Sequence, residues 1–238
     1  MALVLKRYAV FPTAMAYRFS IATVTVIGIG ALVGGAVAIA LYLGLSSATV
    51  NTRKLLEQQV DSYMDAVERQ IADRLDPVLA QADWIAAHVQ SGHLDLGDVD
   101  KLTSFFLGAL AATPQVAGLA VVHPNGLSRR WAREGSKHTT EDWSDRPPII
   151  EWLKAGANAA APEWREPFWT NTINAYVLLH DIALRRDGQF LGMLGQIIPI
   201  SDLSSALGDL THGTPFTPFV LYDRDQVLAH PSLEDQRP

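Results

Sequence analysis

The chain has 238 residues, a formal net charge of −6, 48% hydrophobic residues and no cysteine. The acidic balance excludes a nucleic-acid binder that works by neutralising phosphates. The missing cysteine excludes disulfides, thiol catalysis and cysteine-ligated zinc, and the apolar content excludes a disordered chain.

The charge is unevenly placed. Lys6, Arg7 and Arg18 come first, no charge occurs in residues 19–52, and every acidic residue lies beyond position 50. A basic stub, an uncharged stretch and an acidic remainder form the pattern of a membrane protein. Residues 21–45 are almost wholly apolar, and twenty-five helical residues reach roughly 37 Å, enough to cross a hydrocarbon core of about 30 Å. The small residues Ser46, Ser47 and Ala48 leave a cleaved signal peptide as the alternative. Signal cores run only about 7–15 residues, which favours an uncleaved anchor. Lys6, Arg7 and Arg18 before the span outweigh Arg53 and Lys54 after it, so the amino terminus is expected in the cytoplasm and residues 46–238 outside, in a bacterial inner membrane. Gly30 and Gly34 form a GxxxG, whose spacing either lets two helices approach closely in lipid or reflects the ordinary abundance of glycine in membrane helices.

Residues 50–90 predict a long helix. Leu56, Val60, Met64 (or Tyr63), Val67, Ile71, Leu75 and Val78 recur every three or four positions, and Pro77 predicts a kink or break. The stripe is either a homodimer seam or a packing face for the downstream domain. A shorter helix is expected at 99–112. Strands are expected next at 116–123 and 127–133, around the turn Pro124-Asn125-Gly126. Residues 134–146 are polar and predict a loop, and Pro147 opens a helix to about 155. Strands are expected at 166–170, 175–185 and 190–199, the last two joined by Arg186-Asp187-Gly188-Gln189. Ser201 and Asp202 are placed to cap a helix ending at 207, with a break at Gly208 and Gly213-Thr214-Pro215. A final hairpin is expected at 218–222 and 226–230. This order predicts an α+β fold: an N-terminal transmembrane helix, a long extracytoplasmic helix and a PAS-like antiparallel-sheet module.

The order and several short motifs together resemble the double-Cache sensor regions of bacterial transmembrane receptors. The residues that carry the resemblance are Val122-His123-Pro124-Asn125-Gly126 at the hairpin, Ser144-Asp145-Arg146-Pro147 at a helix start, Glu166-Pro167-Phe168, Asp187-Gly188 with Gly192-Met193-Leu194-Gly195, and the closing helix at 200–207. The resemblance spans about 50–210 and, in part, 215–232. It implies a cytoplasmic stub at 1–18, a transmembrane helix at 19–45, a membrane-exit helix at 46–92, a membrane-distal Cache module at 93–210, and at 215–238 the start of a second module that this chain does not complete. It also implies a downstream output module of a kind whose motifs do not occur here. Of the family's amino-acid-binding motif only Arg146 is retained. Pro148 and Ile149 stand at its Trp-Tyr positions, Phe168 at its later tyrosine and Ile197 about where its aspartate belongs. Without that acid nothing obvious neutralises a ligand ammonium, which argues against conventional amino-acid sensing.

Five of six tryptophans fall between 131 and 169, the segment where the family keeps its pocket, and aromatic walls with a few polar groups suit small-ligand sites. Each tryptophan is a ligand contact or plain core packing. The candidate ligand contacts are Trp131, Trp143, Arg146, Trp152, Trp164, Phe168, Trp169, Tyr176 and His180. Because alternate strand residues point to opposite faces, either Tyr176 and His180 face the pocket and Asp181 faces away, or the reverse. Catalytic motifs are absent and the seven histidines are scattered without ligand spacing, so no catalytic residue, metal or cofactor is expected. The expected partners are a small-molecule ligand, the lipid bilayer and a second copy of the chain through Gly30, Gly34 and the 50–90 helix, with no nucleic acid. The rival reading is a membrane-anchored assembly protein that binds partners without a ligand.

Overall fold

The computed structural model describes residues 20–233 except 134, 136, 171, 172, 212 and 213. The expected stub at 1–18 and the break expected at Gly213 lie outside the described residues. The chain divides into two compact units, Met1–Asp61 and Ser62–Pro238.

Helix α1 (Ile21–Gln90) provides the described structure of the first unit, where residues 20–61 are all exposed. Its most apolar 18-residue window has a mean hydropathy of 2.4, and the helix is long and apolar enough to cross a membrane by length and composition. Helix α1 is unbroken through Pro77, so of the expected kink or break no break occurs. Proline removes one backbone hydrogen bond, but Val78, Gln81, Ala82, Ile85 and Val89 immediately after it are buried, and that packing outweighs the lost bond.

In the second unit α1 supplies a packing face. Val67, Val78, Ile85 and Val89 enter the main core with Tyr63, Ile71 and Leu75 against it, while Met64 is exposed. Thus Tyr63, not Met64, continues the stripe. Helix α2 (Val99–Ala112) starts at Asp98, whose side chain accepts from the Lys101 N–H, and buries Leu102, Phe106, Ala109 and Leu110.

The sheet is antiparallel and six-stranded in the order β3-β2-β1-β6-β5-β4, comprising β1 (Gly118–Val122), β2 (Leu127–Ala132), β3 (Thr139–Asp142), β4 (Glu163–Thr170), β5 (Ala175–Arg186) and β6 (Gln189–Pro199). Strand β3 corrects the expected loop. It is a short polar edge strand held by pairing with β2 alone, so it carries no apolar alternation to betray it. Asp187 and Gly188 both have positive φ (50° and 78°) in the β5–β6 turn, as a two-residue hairpin requires.

Helix α3 (Pro147–Asn158) begins at Pro147 as expected but runs one turn further. Helix α4 (Ile200–Thr211) passes through Gly208 instead of breaking there, and Ser201 and Asp202 sit inside its first turn. Glycine costs a helix about 1 kcal/mol, less than the burial of Leu203, Ala206 and Leu207 returns. The closing hairpin, β7 (Val220–Tyr222) and β8 (Gln226–Ala229), forms its own two-stranded sheet, with Leu228 and Ala229 reaching the main core. The observed class is the expected α+β.

Candidate functional site

Two rows of residues cross the sheet side by side, and the pleat sends them to opposite faces. The first row, in paired register, is Trp131, Leu119, Gln196, His180 and Trp164. The second is Arg130, Ala120, Gly195, Asp181 and Glu163.

The first row faces the helices. Trp131 is buried edge-on to Phe106, ring centroids 4.6 Å apart, and its indole N–H donates to Thr103 Oγ1. His180 Nδ1–H donates to Gln196 Oε1 (2.8 Å), with Trp164 tilted over the imidazole. Gln196 Nε2 donates to Gln81 Oε1 (2.8 Å) and to the Val78 carbonyl (3.0 Å), and Gln81 Nε2 donates to the Ala109 carbonyl (2.6 Å). Sheet, α1 and α2 are thus tied by one buried polar chain. Burial pushes His180 below the usual imidazole range, so it stays neutral and its hydrogen-bond roles are fixed.

Arg130, Ala120, Gly195 and Asp181 of the second row floor a cleft of about 540 Å³. Helix α3 brings Ile149 and Trp152 over one side, and the turn before it brings Trp143 and Arg146. That turn is anchored on Gly126: the Trp143 N–H donates to the Gly126 carbonyl (2.9 Å), and Gly126 itself has a φ of +85°. Strand β4 contributes Arg165, Glu166, Phe168 and Thr170. Arg165 and Phe168 both face the cleft although three residues apart, because a β-bulge between them shifts the register.

The charges lie at two ends. At one, Glu141 pairs with Arg130 and lies 3.7 Å from Arg146, while the Trp143 ring, whose N–H donates to Glu141 (2.8 Å), sits beneath both guanidinium groups at 5.4 and 5.1 Å. These contacts, the Trp143 hydrogen bond foremost, hold Glu141 below the usual carboxylate range. Arg146 is 53% exposed, so this end opens to solvent.

At the other end is Asp181, 1% exposed. Its Oδ2 accepts from the Trp152 indole (2.6 Å) and Arg165 Nε (2.7 Å), whereas its Oδ1, also buried, has no hydrogen-bond partner among the described residues. Burial is the largest influence and lifts the carboxyl to about 6 despite Arg165 and Trp152. Between the charged ends, Ala120 and Gly195 leave the floor hollow. A Cβ at Gly195 would stand 3.6 Å from Asp181 Oδ1 and 3.3 Å from a Leu179 methyl.

Of the expected contacts, Trp143, Arg146, Trp152 and Phe168 come together in the cleft. Trp131, Trp164 and His180 do not, since their row faces the helices. Trp169 stacks edge-on against Tyr176 (5.2 Å), and Tyr176 lines a separate hollow beside β8. The choice left open on β5 resolves with Asp181 inward and His180 away. Sequence reasoning missed Arg130, Glu141 and Arg165, which no motif marks. Ile197, which stands about where the family's aspartate belongs, and Ile149 line the cleft, and Asp181 lines it from the neighbouring strand.

No protein-family model and no curated protein matches the sequence. Solved structures do. The sensory domain of the Campylobacter jejuni chemoreceptor Tlp3 superposes with a TM-score of 0.56 at 14% identity, covering 71% of this chain and 69% of that one. The ligand-binding domain of the Pseudomonas aeruginosa amino-acid chemoreceptor PctC, in complex with GABA, gives 0.52 at 19%, covering 76% and 78%. That of the Pseudomonas fluorescens chemoreceptor CtaA, in complex with L-serine, gives 0.50 at 16%, covering 74% and 75%. The fold is that of chemoreceptor sensory domains. The sensory-domain fold accounts for the long helix and the six-stranded sheet.

Proposed function

We propose that the chain is the extracytoplasmic small-molecule sensor of a membrane-anchored bacterial receptor. The observation that carries this reading is the cleft, whose aromatic walls, opposed charged ends and hollow floor suit a small polar organic molecule. The neighbours in complex with GABA and L-serine support a ligand of that size. In this reading residues 21–45 span the inner membrane with the amino terminus inside, and the module lies outside it, membrane-distal. Two copies associate through Gly30, Gly34 and the outer part of α1. Ligand in the cleft shifts β5 and β6. The polar chain on their other face, His180 to Gln196 to Gln81, passes the shift to α1 and so toward the membrane.

The test is a thermal-shift screen of the detergent-solubilised full chain against amines, amino acids, organic acids, betaines, purines and sugars. Ligand at 100 times its dissociation constant adds about 2.7 kcal/mol, a midpoint rise of about 5–10 °C for a domain of this size. The expected result is a hit lost in Trp152→Ala and in Arg146→Ala. No hit in any class, or a hit indifferent to both variants, overturns the reading.

A further inference from the structure

Arg185 and Arg186 are consecutive on β5, and the strand turns their side chains to opposite faces of the sheet, where each meets the C-terminal end of a helix. Arg185 Nη2 donates to the carbonyls of Gly156 (3.2 Å), Ala157 (2.8 Å) and Ala159 (3.3 Å) at the end of α3. Arg186 donates through Nε to the Val89 carbonyl (3.0 Å) in the last turn of α1, and through Nη2 to the Leu94 carbonyl (2.9 Å) just beyond it. The last carbonyls of a helix lack partners within it and carry partial negative charge, so a guanidinium suits them. Helix α3 has no basic residue of its own in its last turn.

Both arginines sit where the sheet narrows to two strands. Strand β4 pairs with β5 no further than Asp181, and β1 with β6 no further than Met193. Past them, among the described residues, Leu184–Arg186 pair with Gln189–Gly192 alone, and a register shift between Leu184 and Arg185 lies at the root of this ribbon. A two-stranded ribbon is marginal by itself, so its fastenings set its position. Leu184 and Leu191 fasten it to the main core that α1 shares. Phe190, with the Arg185 guanidinium 5.8 Å above its ring, packs against a separate small cluster under α3 whose buried residues are Val122, Leu153 and Met193. So small an apolar footing leaves Arg185 a large part in holding α3 down.

We propose that Arg185 and Arg186 are positioning residues that couple the end of α3 to the end of α1, so that α3 does not loosen from the sheet without loosening the last turn of α1. Helix α3 carries Ile149 and Trp152 over the cleft, and the ribbon joins it to α1 through two adjacent residues. Each fastening orders the ribbon for the other. When Arg185 lets go, the ribbon gains freedom that Arg186 must then pay to restrain, and the reverse holds equally. Two independent caps would protect only their own helices. The coupling runs apart from the His180–Gln196–Gln81 chain and needs no ligand, so it goes beyond the sensing reading without resting on it.

The experiment is amide hydrogen exchange of the full chain in detergent without ligand, read by mass spectrometry. The segments compared are 85–94 at the end of α1 and 150–159 in α3, with 100–112 in α2 as the internal reference. Arg185→Gln is expected to speed exchange in 150–159 and also, by about threefold or more, in 85–94, which Arg185 does not touch. Arg186→Gln should show the converse, with the α2 segment unchanged in both. Arg185→Lys and Arg186→Lys keep the charge but lose the fork of donors, so each should show the same cross-effect at smaller size, and they carry the test if a glutamine variant does not fold. Acceleration confined to the helix that lost its arginine overturns the proposal, because the two are then separate caps. Equal acceleration in all three segments also overturns it, as a general loss of stability. Because no ligand is added, either result leaves the thermal-shift test of the sensing reading to stand or fall separately.

Discussion

His180 and Asp181 are consecutive on β5 yet serve opposite sides of the sheet: His180 hydrogen-bonds Gln196 and through it reaches α1, while Asp181 lines the cleft. One peptide unit therefore separates the candidate ligand site from the helix proposed to carry its signal.

That chain predicts a cooperative energetic unit. Gln196→Leu strands His180 Nδ1 and Gln81 Oε1 in the core, and is expected to cost about 2–4 kcal/mol in urea unfolding of the second unit. Gln81→Leu alone should cost less. The double variant should cost clearly less than the two together, by about 0.5 kcal/mol or more, because each single variant leaves one partner of the Gln196–Gln81 hydrogen bond unpaired and the double removes both. Simple additivity would mean the links act independently.

The turn that carries Trp143 and Arg146 depends on Gly126. At φ +85°, a Cβ there would stand 2.5 Å from Ser144 Cα and 2.6 Å from its backbone nitrogen. Gly126→Ala is expected to destabilise the unit by about 2–4 kcal/mol, combining left-handed strain with a backbone clash. It should also weaken any cleft ligand. Unchanged affinity in a folded Gly126→Ala protein would show that the turn does not set the cleft wall.

Asp181 makes the stability of the unit rise as pH falls. Its folded-state value near 6 lies above the ordinary 3.8, so the folded protein binds the proton more tightly than the unfolded chain. The buried charge then costs up to about 3 kcal/mol above pH 6, and that cost is relieved as pH falls from 6 toward 4. Asp202, also raised by burial, adds in the same direction. Denaturation midpoints measured between pH 7 and 4.5 should show a smaller acid-side gain in Asp181→Asn than in wild type. Parallel curves would contradict the raised value.

Gly30 and Gly34 stand one helical turn apart on an exposed face, with open space over both. Gly30→Ile is expected to lower the crosslinked dimer fraction of the full chain in lipid. Crosslinking equal in wild type and variant would assign association elsewhere or nowhere.

Much of the fold was legible because local signals agreed. Asp98 marks the start of α2, Pro147 the start of α3, and Asp187-Gly188 the β5–β6 turn, each by backbone chemistry that neighbours in sequence supply. The site was legible only in part. Trp143, Arg146 and Trp152 lie in or beside α3, which packs against the cleft face of the sheet as a body, so their arrival in the cleft stems from that helix. Strand residues gave no such guide. Trp131, Trp164 and His180 are aromatic and close in sequence to true cleft residues, but sit one pleat position away from Arg130, Glu163 and Asp181. The bulge between Arg165 and Phe168 changes the parity again, so even knowing one face of β4 would not place both.

By itself the sequence determined the uncharged apolar run at 21–45, an amphipathic stripe along the 50–90 helix, and the alternation of helices with hairpins, because hydropathy, caps and turn residues act over a few positions. Tertiary structure alone decided that β3 forms, that α1 runs unbroken through Pro77, and that Asp181 rather than His180 looks into the cleft. Those outcomes depend on strand register and on burial against distant segments, where a shift of one residue exchanges the core for the cleft.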